Sequence, residues 1–155
     1  MFLKKNIILL FSTFFYIGYL PFIPGTFGSL AGLILFYLSR NSLAAYISIT
    51  FILLILGFLS AGNAERILNK KDCRYIVIDE VSGMLLAFMF IPFDIKLLTL
   101  GFFLFRIFDT LKPYPAGSLQ NLKGSLGIMA DDLIAAAYTN IVLQLVLKFA
   151  TFKAS

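Results

Sequence analysis

The sequence predicts an all-α fold: an integral membrane bundle of about five to six helices, some short or interfacial, in a single domain over residues 1–155. Three observations carry this expectation. Hydrophobic residues make up 60% of the chain and charged residues only 14%, against about half and a quarter in a soluble domain. The mean hydropathy is +0.93. The apolar residues fall in blocks of helical length separated by Pro, Gly and charge, and no stretch alternates as a half-buried strand would.

Lys4-Lys5 precedes the apolar stretch Asn6 to Leu20. It starts like a signal peptide but lacks a small-x-small cleavage site, so it is expected to remain as an embedded or interfacial helix. PFIPGTFGS, Pro21 to Ser29, is rich in breakers and reads as a loop. Thr26 or Ser29 then caps an apolar helix from Leu30 to Leu38. Such a loop aims free N–H groups and a helix N-terminus at one point, which suits an anion. It is read equally as a plain interhelical turn. After the turn Arg40-Asn41-Ser42, Leu43 to Leu59 is an uncharged helix.

Ser60 to Arg74 is the most hydrophilic stretch and reads as a cytoplasmic loop, with Arg66, Lys70, Lys71 and Arg74 outweighing Glu65 and Asp72. Tyr75 to Pro92 is apolar again, with Asp79-Glu80 one turn inside its start. Asp94, in the turn Pro92 to Lys96, reads as a solvated interfacial acid. Leu97 to Leu111 is a helix that stops before Pro113. Pro113 to Gly127 is a polar loop, and Asp131-Asp132 open the last helix, Leu133 to Lys148.

Composition also excludes chemistry. The net charge is +5, but the basic residues flank apolar segments rather than forming one polar face, so the partner expected is a membrane and not nucleic acid. Cys73 is the single cysteine, which rules out an internal disulfide. The absence of histidine removes Ser-His-Asp hydrolysis and HExxH zinc sites. No Cys-x5-Arg loop and no Asp-x-Asp pair is present. Metal-assisted chemistry through oxygen ligands remains.

Five of the eight acids, Asp79, Glu80, Asp109, Asp131 and Asp132, lie at the edges of or inside apolar segments. Carboxylates are costly there and persist when a cation compensates them. If the N-terminus is cytoplasmic and each apolar segment after Pro24 crosses once, these acids reach one membrane face together with Gly25-Thr26, Arg106 and Lys112. Arg106 and Asp109 alone are equally an i,i+3 ion pair. Asp131-Asp132 alone are equally cap and dipole residues.

Together they predict a composite site. The three acidic motifs, Asp79-Glu80, Asp109 and Asp131-Asp132, are the candidates for holding a cation, and one of their carboxylates must serve as general base or nucleophile. Arg106, Lys112 and the Gly25-Thr26 backbone are the candidate phosphate binders. Asp79 and Glu80 diverge by about 100° on a helix, so one is expected to ligate and the other to orient. Gly83, one turn on, leaves room beside the carboxylate. The expected cofactor is Mg²⁺, the default for oxygen ligands with a phosphate substrate. The substrate expected is a phosphorylated lipid.

Two rivals stand beside this reading. A transporter or channel subunit with cation-binding acids predicts acids near mid-membrane, whereas these sit at segment ends. A CDP-alcohol phosphotransferase requires D-G-x2-A-R-x8-G-x3-D-x3-D, and Asp131-Asp132 are adjacent rather than four apart.

PFIPGTFGSLAG, YIVIDEVSGM and FRIFDTLKPYPA…KGSLGIMADDLIAA resemble the signature blocks of the phosphatidylglycerophosphatase A family, from about Pro21 to Ala136. Ser125 and Ala136 stand where that pattern has glycine. The resemblance implies a multi-pass, Mg²⁺-dependent phosphatase of the bacterial inner membrane that converts phosphatidylglycerophosphate to phosphatidylglycerol and phosphate at the cytoplasmic face. It implies that Asp79, Glu80, Asp131 and Asp132 are the metal ligands and, with Asp109, the catalytic acids. Arg106, Lys112, Gly25 and Thr26 are then the phosphate binders.

Overall fold

A computed structural model describes residues 2–71 and 73–153; Asp72, counted above in the charge of its loop, lies outside them. Among the described residues the chain is entirely helical. It forms α1 (Phe2–Ser12), a 3₁₀ turn (Ile17–Tyr19), α2 (Pro24–Ser39), α3 (Leu43–Leu68), α4 (Ile78–Ala87), α5 (Ile95–Leu111), α6 (Ala116–Leu119) and α7 (Ser125–Lys153). The seventh α-helix, beyond the six expected, is the four-residue α6 within the predicted Pro113–Gly127 loop.

The bundle is built around α4. Ile78, Val81, Ser82, Gly83, Met84, Leu85 and Ala87 of its ten residues are buried. It packs against α2, α3, α5 and α7. The α2–α4 crossing is close because α2 presents glycines. A Cβ on Gly28 would lie 2.9 Å from the Val77 side chain, and one on Gly32 would lie 2.7 Å from the Val81 carbonyl. Farther along, Phe36 stacks near Phe88, with centroids 5.2 Å apart. The α3–α4 pair runs the other way: Gly57 nears Ile78, while the Tyr46 hydroxyl donates to the Leu85 carbonyl. The free C-terminal end of α4 lies inside the bundle, where its carbonyls need donors. Asn140 Nδ2 supplies them, donating to Ala87 O at 3.0 Å and Met89 O at 2.9 Å.

Four boundaries depart from expectation, each for a local reason. The first helix ends at Ser12 rather than Leu20, because Phe14, Phe15 and Tyr16 all adopt positive φ. The helix α2 starts at Pro24, so Gly25, Thr26 and Gly28 are helical rather than a loop. Proline suits the first helical turn, where its missing N–H is not needed. Neither Thr26 nor Ser29 caps it; Ser29 Oγ instead donates to Gly25 O at 3.1 Å.

The helix α3 does not stop at Leu59 but runs to Leu68 and ends at Asn69 in the left-handed region. Most of the predicted loop is therefore helix. The helix α7 starts at Ser125, six residues before Asp131, so the aspartate pair lies about two turns inside it and caps nothing. Ser125, the departure from the family pattern, accepts from Gly62 N at 2.8 Å and ties α7 to α3. Asp94 is exposed, as expected of a solvated acid, and also caps α5, accepting from Lys96 N and Leu97 N.

Two helices, Leu43–Leu68 and Ser125–Phe149, are long and apolar enough to cross a membrane. The first has only 28% of its most apolar window buried inside the protein. Phe51, Ile52, Ile55 and Leu59 point outward along it.

Candidate functional site

One end of the bundle gathers the N-terminal turns of α2 and α4, the C-terminal ends of α3 and α5, and the second turn of α7. Asp79 and Glu80 lie in the first turn of α4, where the positive helix end favours carboxylates. Asp132 reaches them from α7, and the ligand oxygens of Asp79, Glu80 and Asp132 all lie within 4.8 Å of one another. The neighbours Asp79 and Glu80 thus each bring a carboxylate oxygen to one point.

The remaining groups arrange themselves around these three. Asp131 turns to Lys112, whose Nζ lies 2.5 Å from Asp131 Oδ2. Asp109 pairs with Arg106 at 2.7 Å and faces Asp132 across the α5–α7 contact. Arg106 also donates to Ser29 Oγ at 3.4 Å, which links α5 to α2. Four buried carboxylate oxygens, Asp79 Oδ1, Glu80 Oε2, Asp131 Oδ1 and Asp132 Oδ2, have no hydrogen-bond partner.

Glycine shapes this end in two places. A Cβ on Gly25 would stand 2.4 Å from Glu80 Oε1, so the carboxylate occupies space that any larger residue would fill. Gly83 meets the Phe105 ring and the backbone carbonyl of Asp132. It brings α4 against α5 and α7 instead of opening space beside Asp79.

The helix α4 is about 15 Å long, half a hydrocarbon core, and is neither of the two candidate spans. Burial raises the pKa of Asp79 well above the ordinary 3.8, and the charges of Glu80 and Asp132 push it further. Burial raises Glu80 as well, while its hydrogen bond with Asp79 pulls it back. A cluster of this kind binds protons or a cation.

A cavity opens onto these acids. Asp79, Glu80, Asp109, Lys112, Asp131 and Asp132 line its floor. Three of the predicted phosphate binders do not line it: Gly25 and Arg106 lie behind Glu80, and Thr26 lies in the first turn of α2. The reason is the early start of α2, which turns the expected anion loop into a packed helix face. The cavity is also lined by Gln120 and Asn121, of the predicted Pro113–Gly127 loop, and by Glu65, Lys71 and Arg74, which sequence reasoning missed. The net basic character of residues 60–74 was the available signal.

The sequence model described as Phosphatidylglycerophosphatase A matches residues 10–147. The chain belongs to the phosphatidylglycerophosphatase A family. A Haemophilus influenzae protein named phosphatidylglycerophosphatase A is 36% identical over 77% of this chain and 76% of its own length. An Escherichia coli protein of the same name is 32% identical over 83% of this chain and 77% of its own. A Bacteroides thetaiotaomicron protein, provisionally named a phosphatidylinositol-3-phosphatase, is 30% identical over 86% of this chain and 89% of its own. No solved structure matches the chain. The match to the phosphatidylglycerophosphatase A family includes every acid of the cavity floor.

Proposed function

We propose that the chain is a lipid phosphatase that hydrolyses phosphatidylglycerophosphate to phosphatidylglycerol and phosphate, with Mg²⁺ as cofactor. The observation that carries this reading is the meeting of Asp79, Glu80 and Asp132 within 4.8 Å in a chain of this family. The donor set fits a hard cation. Four buried carboxylate oxygens lack protein partners, and an uncompensated buried charge costs several kcal/mol. All the cluster's donors are oxygens, which favours Mg²⁺ where phosphate is the substrate. Asp79, Glu80 and Asp132 would hold the ion, with Asp131 adjoining. When bound, it neutralises phosphoryl charge and acidifies a water.

The chain's own residues divide the remaining work. Lys112 orients Asp131 and presents an ammonium to a phosphoryl oxygen entering the cavity. Without histidine, a carboxylate must accept the attacking water's proton. Asp109 is placed for this role: it lines the cavity, stands outside the three-acid cluster and is oriented by Arg106 at 2.7 Å. Arg106 thus acts through Asp109 and Ser29 as a positioning residue.

The reading includes a multi-pass protein of the bacterial inner membrane with the site facing the cytoplasm. Its support is the outward apolar surface of α3 and the length of α3 and α7, about 39 and 44 Å, against a hydrocarbon core of about 30 Å. The site-end connections, 69–77 and 112–124, carry Lys70, Lys71, Arg74, Lys112 and Lys123; the opposite connections, 40–42 and 92–96, carry Arg40 and Lys96. By the positive-inside rule, the excess of basic residues on the site-end connections supports a cytoplasmic site. Family membership leaves no support for the transporter or the CDP-alcohol phosphotransferase.

The test is phosphate release by the purified protein from phosphatidylglycerophosphate and from phosphatidylinositol 3-phosphate, side by side, with Mg²⁺ or with excess EDTA. The name of the Bacteroides relative motivates the second lipid. We expect release from the first lipid, and only with Mg²⁺. A tenfold preference for the inositol lipid would replace the headgroup. Full activity in EDTA would end the metal reading.

A further inference from the structure

We propose that Lys71 and Arg74, on the cavity wall, hold a second anionic group of the substrate: the phosphodiester of a lipid whose headgroup also carries the phosphomonoester to be cleaved. This deepens the phosphatase reading and rests on it.

The cavity has two electrostatic levels. Its floor is five carboxylates with Lys112, the place for one phosphate and its counter-cation. Exposed on its wall are Lys71 and Arg74, from the segment between α3 and α4; the half-buried Glu65 of α3 and the neutral amides Gln120 and Asn121 complete the lining. The two cations outweigh Glu65 by one charge, in addition to Lys112 on the floor. They match a second negative charge farther up the headgroup.

Arg74 is also prepared for an anion. Its guanidinium lies over the Tyr75 ring, 5.4 Å from the centroid, and Tyr75 stacks on Tyr19 at 4.9 Å. A ring contact occupies the face of a guanidinium and leaves its N–H edge free to bind an anion. Among the described residues neither Lys71 nor Arg74 enters a salt bridge.

The stretch from Cys73 to Val77, which carries Arg74, is pinned. Cys73 is buried, Ile76 N donates to Cys73 O at 2.8 Å, and Val77 N donates to Ser12 O at 3.0 Å. A Cβ on Gly18 would stand 1.9 Å from Tyr75 O, so the segment rests directly on the turn after α1. The anchored Arg74, with the exposed Lys71 lining the same cavity, offers a second anionic group a partner that a substrate with one phosphate does not need.

The experiment compares phosphatidylglycerophosphate, which has both a diester and a monoester, with phosphatidic acid, which has the monoester alone. Both are presented to the full chain in neutral detergent micelles with Mg²⁺. Phosphatidic acid is read as a substrate or as a competitive inhibitor. The variants are Lys71→Ala, Arg74→Ala and the pair, with Arg66→Ala as a charge control outside the cavity. Unchanged melting temperatures verify folding.

We expect the double variant to raise KM for phosphatidylglycerophosphate roughly tenfold or more, the loss of a charge-assisted hydrogen bond. The same variant should leave kcat within about twofold, since the acids and Lys112 are untouched. Phosphatidic acid kinetics and the Arg66→Ala variant should not change. Wild-type protein that cleaves neither lipid removes the phosphatase reading and this inference with it. Wild-type activity with an unchanged KM in the double variant overturns the inference alone. So does an equal rise for both lipids, which would mean attraction to anionic lipid in general.

Discussion

Replacing Asp79 by Asn should stabilise the metal-free protein while abolishing its activity. The ligand oxygens of Asp79, Glu80 and Asp132 lie within 4.8 Å of one another. Two unit charges at that separation repel by about 3.5 kcal/mol at an effective dielectric constant of 20, and Asp79 faces two such neighbours. The protein can relieve this by protonating. The gain from Asn is therefore limited to the cost of protonating an ordinary aspartate at pH 7, about 4 kcal/mol. The Asn side chain keeps the volume and a hydrogen-bonding oxygen. A gain of about 1–4 kcal/mol corresponds to a rise of at least 2–4 °C in a chain of this size.

The assay is a thermal melt in detergent with EDTA, and again with Mg²⁺. Wild-type protein should gain stability with Mg²⁺, because the ion binds only the folded cluster. Asp79→Asn should start higher and gain little. A lower melting temperature in EDTA, or an undiminished response to Mg²⁺, would refute the idea that the three acids repel one another and bind a shared cation.

Three further outcomes follow from the same geometry. Because the Asp79 pKa is raised, the folded protein binds more protons than the unfolded chain above pH 3.8; metal-free stability should therefore fall as pH rises from 5 to 8, and Mg²⁺ affinity should rise over the same range, as melts at each pH will test. Gly25→Ala should lower kcat at least tenfold with little change in melting temperature, since the new Cβ meets the end of the Glu80 side chain rather than backbone; unchanged kinetics would mean that the position of Glu80 is immaterial. Arg106→Ala should lower kcat far more than it raises KM, because Arg106 contacts Asp109 and Ser29 and does not line the cavity; a pure KM effect would restore it as a phosphate clamp.

The sequence made the helices and the meeting of the acids legible, because buried carboxylates are rare and a simple alternation of crossings placed them at one end. The errors came from treating polarity and breakers as loops. Pro24 and Gly25 looked like the end of a turn, yet proline is comfortable at a helix start and the glycines serve a close crossing with α4. Ser60 to Leu68 looked like a loop because hydropathy falls there, although Asn63, Glu65 and Arg66 continue α3. Asp131-Asp132 looked like a cap because the helix start at Ser125 is hidden behind Gly127. Which acids share a point, and that Asp131 turns instead to Lys112, depends on helix rotation, which spacing alone does not fix. Lys71 and Arg74 carried no motif; only the fold puts them above the acids.

The hold of Asn140 on the end of α4 bears on how the molecule is made. A ten-residue helix with two carboxylates in its first turn is too short and too polar to enter a bilayer alone. Its last carbonyls find their donors on α7, which emerges from the ribosome more than fifty residues later. Until then α4 can pack only on α2 and α3, the carbonyls of Ala87 and Met89 lack their donor, and the acids of α4 and α7 have not met. The site is therefore completed late, when α7 joins helices already packed together. A product interrupted before Asn140 would leave the carbonyls of Ala87 and Met89 without their donor and the end of α4 unsealed.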